Sequence, residues 1–149
     1  MITLKKIILQ AALTAVVSVV CLPGAIAGIA IEHWTQPSGA QVFLVQSHAI
    51  PMLDVQLDFD AGSRRDPSEQ AGLASVTASL SGMGVLANPA RGELALDENA
   101  LGEAWADLGA SFGGHASSDR MSFALRSLTY PDLLDKAVQL AARQLAGPA

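Results

Sequence analysis

The sequence is poor in cysteine, in positive charge and in aromatic residues. Its only cysteine is Cys21, and nine Lys and Arg residues stand against 14 Asp and Glu, a formal charge of -5. That balance provides no basic surface for nucleic acid. Aromatic residues make up 5% of the chain, yet half of its 149 residues are hydrophobic. The composition is therefore that of a small globular domain rather than a disordered chain.

The first 27 residues have the pattern of a secretory signal. Lys5 and Lys6 precede an apolar run at residues 7–22, and an A-x-A motif ends at Ala27. A positive start, an apolar stretch and a small-residue cleavage motif define such a signal. We predict cleavage after Ala27, which leaves residues 28–149 as a periplasmic or secreted domain without cysteine or a disulfide. Removal of the two lysines changes the formal charge from -5 to -7.

Two other interpretations of this segment stay open. Residues 7–22 could persist as an inner-membrane anchor, because the run is of borderline length for a membrane span. Lipidation of Cys21 is the other possibility, but Val20 stands where that processing needs a small residue.

Two segments near the start of the mature chain predict strands. Residues 41–47, QVFLVQS, are apolar on both faces and are expected to form the more buried strand. Residues 52–60 alternate between an apolar face and a polar face that carries Asp54, Asp58 and Asp60. This acidic stripe is either a solvated strand face or a cation site.

Three helices and two further strands follow. Asp66, Pro67 and Glu69 resemble a capping box for a first helix, in which Leu73, Val76, Leu80 and Met83 form the expected core stripe. Ala71, Ser75, Ala78, Ser79 and Gly82 form a second face, on which every residue is small.

Asp97 is expected to cap a second helix that ends near Gly109. The last helix starts near Pro131 and is expected to bury Leu134, Val138, Ala141 and Leu145.

The order of these elements predicts the fold class. Two strands, two helices, two strands at ASFGGHAS and MSFALRSL and a final helix predict an α+β domain. It has two layers, with helices packed on a largely antiparallel sheet. No closing element follows the last helix, so we expect residues 28–149 to be an incomplete domain.

Catalytic motifs are absent. No two of His33, His48 and His115 are four residues apart, and none has a glutamate at a spacing typical of zinc ligands. Each is therefore expected to be a surface or loop residue. There is no G-x-S-x-G elbow for a serine nucleophile and no phosphate-binding loop.

Several short stretches, taken in order, resemble a known family. They are the G…V.LV strand of GAQVFLV, the V…..D.GSR.D strand and turn, GLA at residues 72–74, and LGASFGGHASSDRMSFALRSL. Together they resemble the amino-terminal domain of the pitrilysin/insulinase zinc peptidases over about residues 31–149. The resemblance implies a peptidase-like half-domain.

The same resemblance implies a lost active site. In active relatives the helix after GLA carries H-x-x-E-H, and these positions fall on Ser75, Ala78 and Ser79. The third zinc ligand of the family, a glutamate, lies many tens of residues further on, and we expect its position to fall beyond residue 149. Serine hydroxyls are poor zinc ligands and alanine cannot accept a proton. We therefore expect no zinc, no other cofactor and no catalysis.

The family also implies a role for a chain of this kind. Some members pair a catalytic subunit with a degenerate one, so the leading hypothesis is a secreted, non-catalytic subunit that binds extended peptide or an active partner in a heterodimer. The alternative from another class is an exported α+β binding module unrelated to proteolysis. Two further alternatives are an active zinc peptidase using His48 or His115, and a fragment that cannot fold alone.

Overall fold

A computed structural model describes residues 28–149 of the chain. The signal segment predicted for residues 1–27, its cleavage, and the anchor and lipid alternatives lie outside the described residues. The described residues divide into two compact units, residues 28–47 and residues 48–149. No helix among them is long and apolar enough to cross a membrane.

The first unit is a β-hairpin. Strand β1 (Ile31–Thr35) pairs antiparallel with β2 (Gln41–Val45), and the turn between them contains Gly39 at φ 89°. The prediction that this second strand is the more buried one was wrong, because Phe43 is 64% exposed and Val45 is 50% exposed. A two-stranded hairpin cannot by itself bury both faces, whatever the pattern of apolar residues.

The second unit has the predicted α+β architecture. Its main sheet is antiparallel with the strand order β3-β7-β6, and a two-stranded sheet pairs β4 with β5. The strands are β3 (Met52–Phe59), β4 (Gly84–Val85), β5 (Leu96–Asp97), β6 (Ser111–Ala116) and β7 (Met121–Leu128). The helices are α1 (Leu73–Leu80), α2 (Glu98–Asp107) and α3 (Pro131–Ala146). Strands β1, β4 and β5 were not predicted from the sequence. The last two contain two residues each, too few to show a period.

The ends of α2 follow the predicted signals. The Asp97 carboxylate accepts a hydrogen bond from the backbone N–H of Ala100 at 2.8 Å, and Gly109 takes φ 58° just past the helix. A side-chain acceptor satisfies one of the free N–H groups of a first turn, and glycine tolerates a left-handed φ. Local sequence therefore sets both ends of α2.

Helix α3 confirms the predicted start and corrects part of its buried face. Ala141 is buried, and Leu134 and Leu145 are half-buried, but Val138 is 46% exposed. The most buried positions are instead Ala137 and Gln144. Small residues and one amide lie where α3 packs most closely on its neighbours. Hydrophobic periodicity alone does not predict which positions these are.

The core contains two adjoining clusters. The larger one packs Trp105 and Leu101 of α2 against Leu125 of β7 and the alanines of α3, with Val85 fully buried. The smaller one packs Ala74 and Ala78 of α1 against Met121 and Phe123 of β7. Phe112 lies at the border, stacked on Trp105 at 5.9 Å and on Phe123 at 5.8 Å between ring centroids. The aromatic stack therefore joins the two clusters.

A buried amide links all three helices. Trp105 Nε1 of α2 donates to Gln144 Oε1 at 3.0 Å, and Gln144 Nε2 donates to the carbonyl of Ser81 at 2.8 Å. Ser81 is the residue that ends α1, and Gln144 is 1% exposed. Buried polar groups cost free energy unless they are paired, and here each group of the bridge has a partner.

The outer face of the main sheet carries the predicted acidic stripe as ion pairs. Asp54 accepts from Arg126 Nε at 2.6 Å, and Asp58 accepts from Ser122 Oγ at 2.5 Å and from Arg120 at 3.2 Å. Asp60 pairs with Arg65. The hydrogen bond from Ser122 is the largest influence holding the pKa of Asp58 below its usual value, and that from Arg126 does the same for Asp54. Each carboxylate therefore already has a cationic partner within the chain.

Replacement of Gln144 by leucine tests the bridge. Gln144→Leu leaves Trp105 Nε1 and the Ser81 carbonyl buried without partners, at about 1–3 kcal/mol for each group. We expect a lower midpoint of urea unfolding for the full chain. The control is Gln139→Leu on the exposed side of the same helix. Equal midpoints for the two variants would show that the bridge contributes nothing to stability.

Candidate functional site

The three positions where the family resemblance places the zinc motif, Ser75, Ala78 and Ser79, all lie on α1. This helix does not begin at the predicted capping box. A 3₁₀ turn spans Ser68–Gln70, Gly72 takes φ 95°, and the α-helix starts only at Leu73. Asp66 nevertheless caps it, because its carboxylate accepts from the N–H of Gly72 at 2.9 Å and of Ala74 at 3.1 Å. The capping residue was predicted correctly and the start of the helix was wrong.

A close backbone contact holds the segment before α1. The N–H of Ser63 donates to the carbonyl of Ser117, and the N–H of Arg64 to that of Ser118, both at 2.9 Å. A Cβ on Gly62 would lie 2.4 Å from Arg120 N, so only glycine fits here. Arg64 also pairs with Asp119 at 3.0 Å. The GSR.D stretch is thus fastened to the β6–β7 turn and leads directly to the cap of α1.

The buried face of α1 is the reverse of the predicted one. Ala74 is 5% exposed and Ala78 is 3% exposed, whereas the expected core stripe is largely open to solvent. Its exposed fractions are Leu73 45%, Val76 54%, Leu80 50% and Met83 45%. Helix α1 approaches the sheet closely enough that alanines fill the contact. Its sequence has no charged residue to mark the solvent side, so periodicity could not identify that side.

The motif positions therefore have different environments. Ala78 packs into the core, whereas Ser75 and Ser79 are exposed. The Ser79 hydroxyl donates to the backbone carbonyl of Ser75 at 3.0 Å, the usual use of a serine within a helix. The expected face of small residues is thus divided between the core and the surface.

These side chains do not fit a zinc ion. A protein zinc site needs imidazole, thiolate or carboxylate donors, and α1 carries none. Across residues 28–149, no three His, Cys, Asp or Glu side chains are grouped so that they could hold a metal ion. The chain offers neither a ligand set nor a carboxylate base at the place where the resemblance puts the reaction.

The three histidines lie in separate elements. His33 of β1 stacks on Phe43 with ring centroids 4.5 Å apart, and His48 follows β2 in an exposed segment. His115 is exposed on β6, opposite Ser122 in the register. None of them takes part in a group of metal-binding side chains among the described residues.

Helix α1 lies beside one edge strand of the main sheet. In the described part of the chain, β3 and β6 are the outer strands of the main sheet. Helix α1 packs chiefly on β6, beside Phe112 and Ala116. A sheet edge carries unpaired backbone N–H and C=O groups that can receive an added strand. The exposed stripe of α1 and the edge of β6 are therefore the surfaces closest to the motif positions.

Solved structures with this fold are peptidases and a peptidase domain. The peptidase M16 inactive domain from Pseudomonas fluorescens aligns with a TM-score of 0.70 and 31% identity, over 80% of this chain and 27% of that one. This chain has the fold of an M16 peptidase domain. The identity supports a place in the peptidase M16 family, to which the sequence resemblance also points.

Two more distant structures share the M16-like fold. The periplasmic protease PqqL from Escherichia coli aligns with a TM-score of 0.65 and 20% identity, over 82% of this chain and 13% of that one. A protease from Helicobacter pylori aligns with a TM-score of 0.63 and 17% identity, over 82% and 27%. The chain spans about a quarter or less of the length of these relatives. No protein-family model and no curated protein sequence matches it significantly.

The close contact at Gly62 can be tested directly in this M16-like domain. Gly62→Ala places a methyl group against the backbone of the β6–β7 turn and should lower the thermal unfolding midpoint by several degrees. Gly102→Ala is the control, since a Cβ at this position within α2 meets nothing within 4 Å. The control should be neutral or slightly stabilising. An unchanged midpoint in Gly62→Ala would remove the close-packing explanation for this glycine.

Proposed function

We propose that this chain is a non-catalytic homologue of the M16 peptidases that binds an extended peptide or a catalytic partner subunit. The observation that carries the proposal is on α1. The positions of H-x-x-E-H hold Ser75, Ala78 and Ser79, which can neither bind zinc nor activate water. A chain with this fold and without zinc ligands or a base would work by binding a peptide or a partner subunit rather than by cleaving a peptide bond.

The supports of the site helix favour a retained binding role. Gly62, Asp66 and the paired Arg64 and Asp119 still fix the start of α1 on the sheet, although its motif positions carry no chemistry. The relative at 31% identity is described as an inactive M16 domain, so a non-catalytic domain of this fold has a precedent. We infer that the surface around α1 serves recognition.

Two surfaces suit that recognition. An extended peptide can add to the edge of β6 or β3 through backbone hydrogen bonds, which need no catalytic group. The apolar stripe of α1 suits a protein partner, because Val76 and Leu80 are about half exposed and no charge interrupts the helix. A catalytic subunit with an intact H-x-x-E-H is the partner that we propose, in a heterodimer.

We also propose export to the periplasm or beyond the cell. The proposal rests on the Lys5–Ala27 signal pattern of the sequence. The fold-level likeness to a periplasmic protease is compatible with it.

Peptide binding without cleavage is the first expected outcome. An N-acetylated, C-terminally amidated extended peptide should bind the full chain and slow amide hydrogen exchange at residues 111–116 or 52–59, while residues 98–107 of α2 serve as the internal control. The peptide should remain intact with zinc present. Stoichiometric, tightly held zinc together with chelator-sensitive cleavage would overturn the non-catalytic assignment.

Partner capture separates the two function classes. The wild-type chain should co-purify with a peptidase subunit that carries H-x-x-E-H, and Val76→Ser/Leu80→Ser should lose that subunit, because the apolar contact is removed from α1. Leu94→Ser is the matched control, since Leu94 is 82% exposed on the loop between β4 and β5 and is not part of α1. Capture of a non-peptidase partner instead would favour the alternative, an exported α+β binding module unrelated to proteolysis.

A further inference from the structure

A concave site lies between the loop after β4 and the exposed side of α3, and no residue of α1 lines it. This cleft has a volume of about 550 Å³, within the usual range of small-ligand sites. Leu86 and Pro89 form one wall, and Val138 and Ala142 of α3 form the other. Leu86 is 58% exposed and Val138 is 46% exposed, so apolar surface remains open on both sides.

The polar groups of the cleft leave one positive charge available. Of the six arginines in the described residues, five lie within 4.0 Å of a carboxylate, and Arg91 on the rim of the cleft is the sixth. The other two charged groups of the lining are Arg143 and Glu93, which face each other at 3.7 Å. The cleft is thus net positive by one charge in a chain whose formal charge is -5.

The two walls are held at a fixed separation. Arg143 of α3 donates through Nη2 to the carbonyl of Leu86 at 3.2 Å and to that of Leu94, so one side chain ties both ends of the loop to the helix. The loop is also closed on itself, because Asn88 and Glu93 exchange backbone hydrogen bonds of 2.9 and 3.1 Å. A preformed cleft avoids part of the ordering cost of binding.

These features select an apolar ligand that ends in one carboxylate. We propose that the cleft binds the C-terminal residue of a peptide, with its apolar side chain between Val138 and Leu86 and its carboxylate on Arg91. A charge-assisted bond to a guanidinium fixes the orientation of the chain end. The choice of a peptide rather than another aliphatic carboxylate rests on the proposed peptide-binding function.

Three probes identify the ligand chemistry. Acetyl-Ala-Ala-Leu as the free acid, the same tripeptide as its C-terminal amide, and octanoate are titrated into the full chain by isothermal calorimetry. We expect the free acid to bind about tenfold or more tightly than the amide, since only the acid pairs with Arg91. Equal affinities for acid and amide would overturn the proposal, as would binding of octanoate without binding of the tripeptide acid.

Variants locate the site. Arg91→Gln should weaken binding of the tripeptide acid about tenfold. Lys136→Gln should not, because it removes an exposed charge of α3 that does not line the cleft. Ala142→Phe should fill the cleft and abolish binding, whereas Ala106→Phe on the exposed side of α2 should not. A thermal melt of each variant verifies that it folds. Unchanged binding in Arg91→Gln and Ala142→Phe would place the ligand elsewhere.

The same probes separate this site from the proposed peptide-binding edges. The amidated peptide used for the strand edges has no free carboxylate, so its binding does not depend on Arg91. If the tripeptide acid and its amide bind equally well while the amidated extended peptide still binds the strand edges, only the cleft proposal is rejected. If the amidated extended peptide does not bind the strand edges while the tripeptide acid still binds more tightly than its amide, only the strand-edge proposal is rejected.

Discussion

The position of the three helices depends on one buried amide. Gln144 accepts a hydrogen bond from the indole of Trp105 and donates one to the last turn of α1, so it fixes α3, α2 and α1 at one point. The amide can stay buried because each of these groups has a partner. Around it, alanines of α1 and α3 pack at short range on β7. This bridge and the alanine contacts together connect the three helices to one another and to β7.

The M16-like fold therefore keeps the supports of a site helix without the side chains of a site. Gly62 allows the backbone of the preceding loop to lie against the β6–β7 turn, and Asp66 caps the helix from six residues before its N-cap Gly72. These contacts stabilise the domain whatever α1 carries. None of these contacts involves the side chains of Ser75, Ala78 or Ser79. The recognition that we propose uses surfaces instead: the apolar stripe of α1, the two strand edges and the cleft beside Arg91.

Much of the fold could be predicted from the sequence because its signals are local. The strand at residues 121–128, the Asp97 cap, the Gly109 stop and the start of α3 at Pro131 all depend on neighbouring residues. The apolar face of β3 is half-buried only at its start, because Leu57 is 37% exposed and Phe59 is 48% exposed. The errors came where a distant contact decides. The buried face of α1 was predicted wrongly, because its Ser and Thr residues do not mark a solvent side and because Ala74 and Ala78 make the buried contact with the sheet. The short strands β4 and β5 form only because they pair with each other, and β4 also bridges to Pro148.

The sequence by itself determined which side chains α1 carries, and none of them is an imidazole, a thiolate or a carboxylate. It also determined the α+β class, because helix and strand periods are properties of short stretches. Only the tertiary structure decided which surfaces are available. Arg91 and α3 come together because Arg143 ties the loop to the helix, 57 residues along the chain from Leu86. Contacts between residues so far apart in the sequence form only when the core is packed, and the sequence alone does not show which of them form.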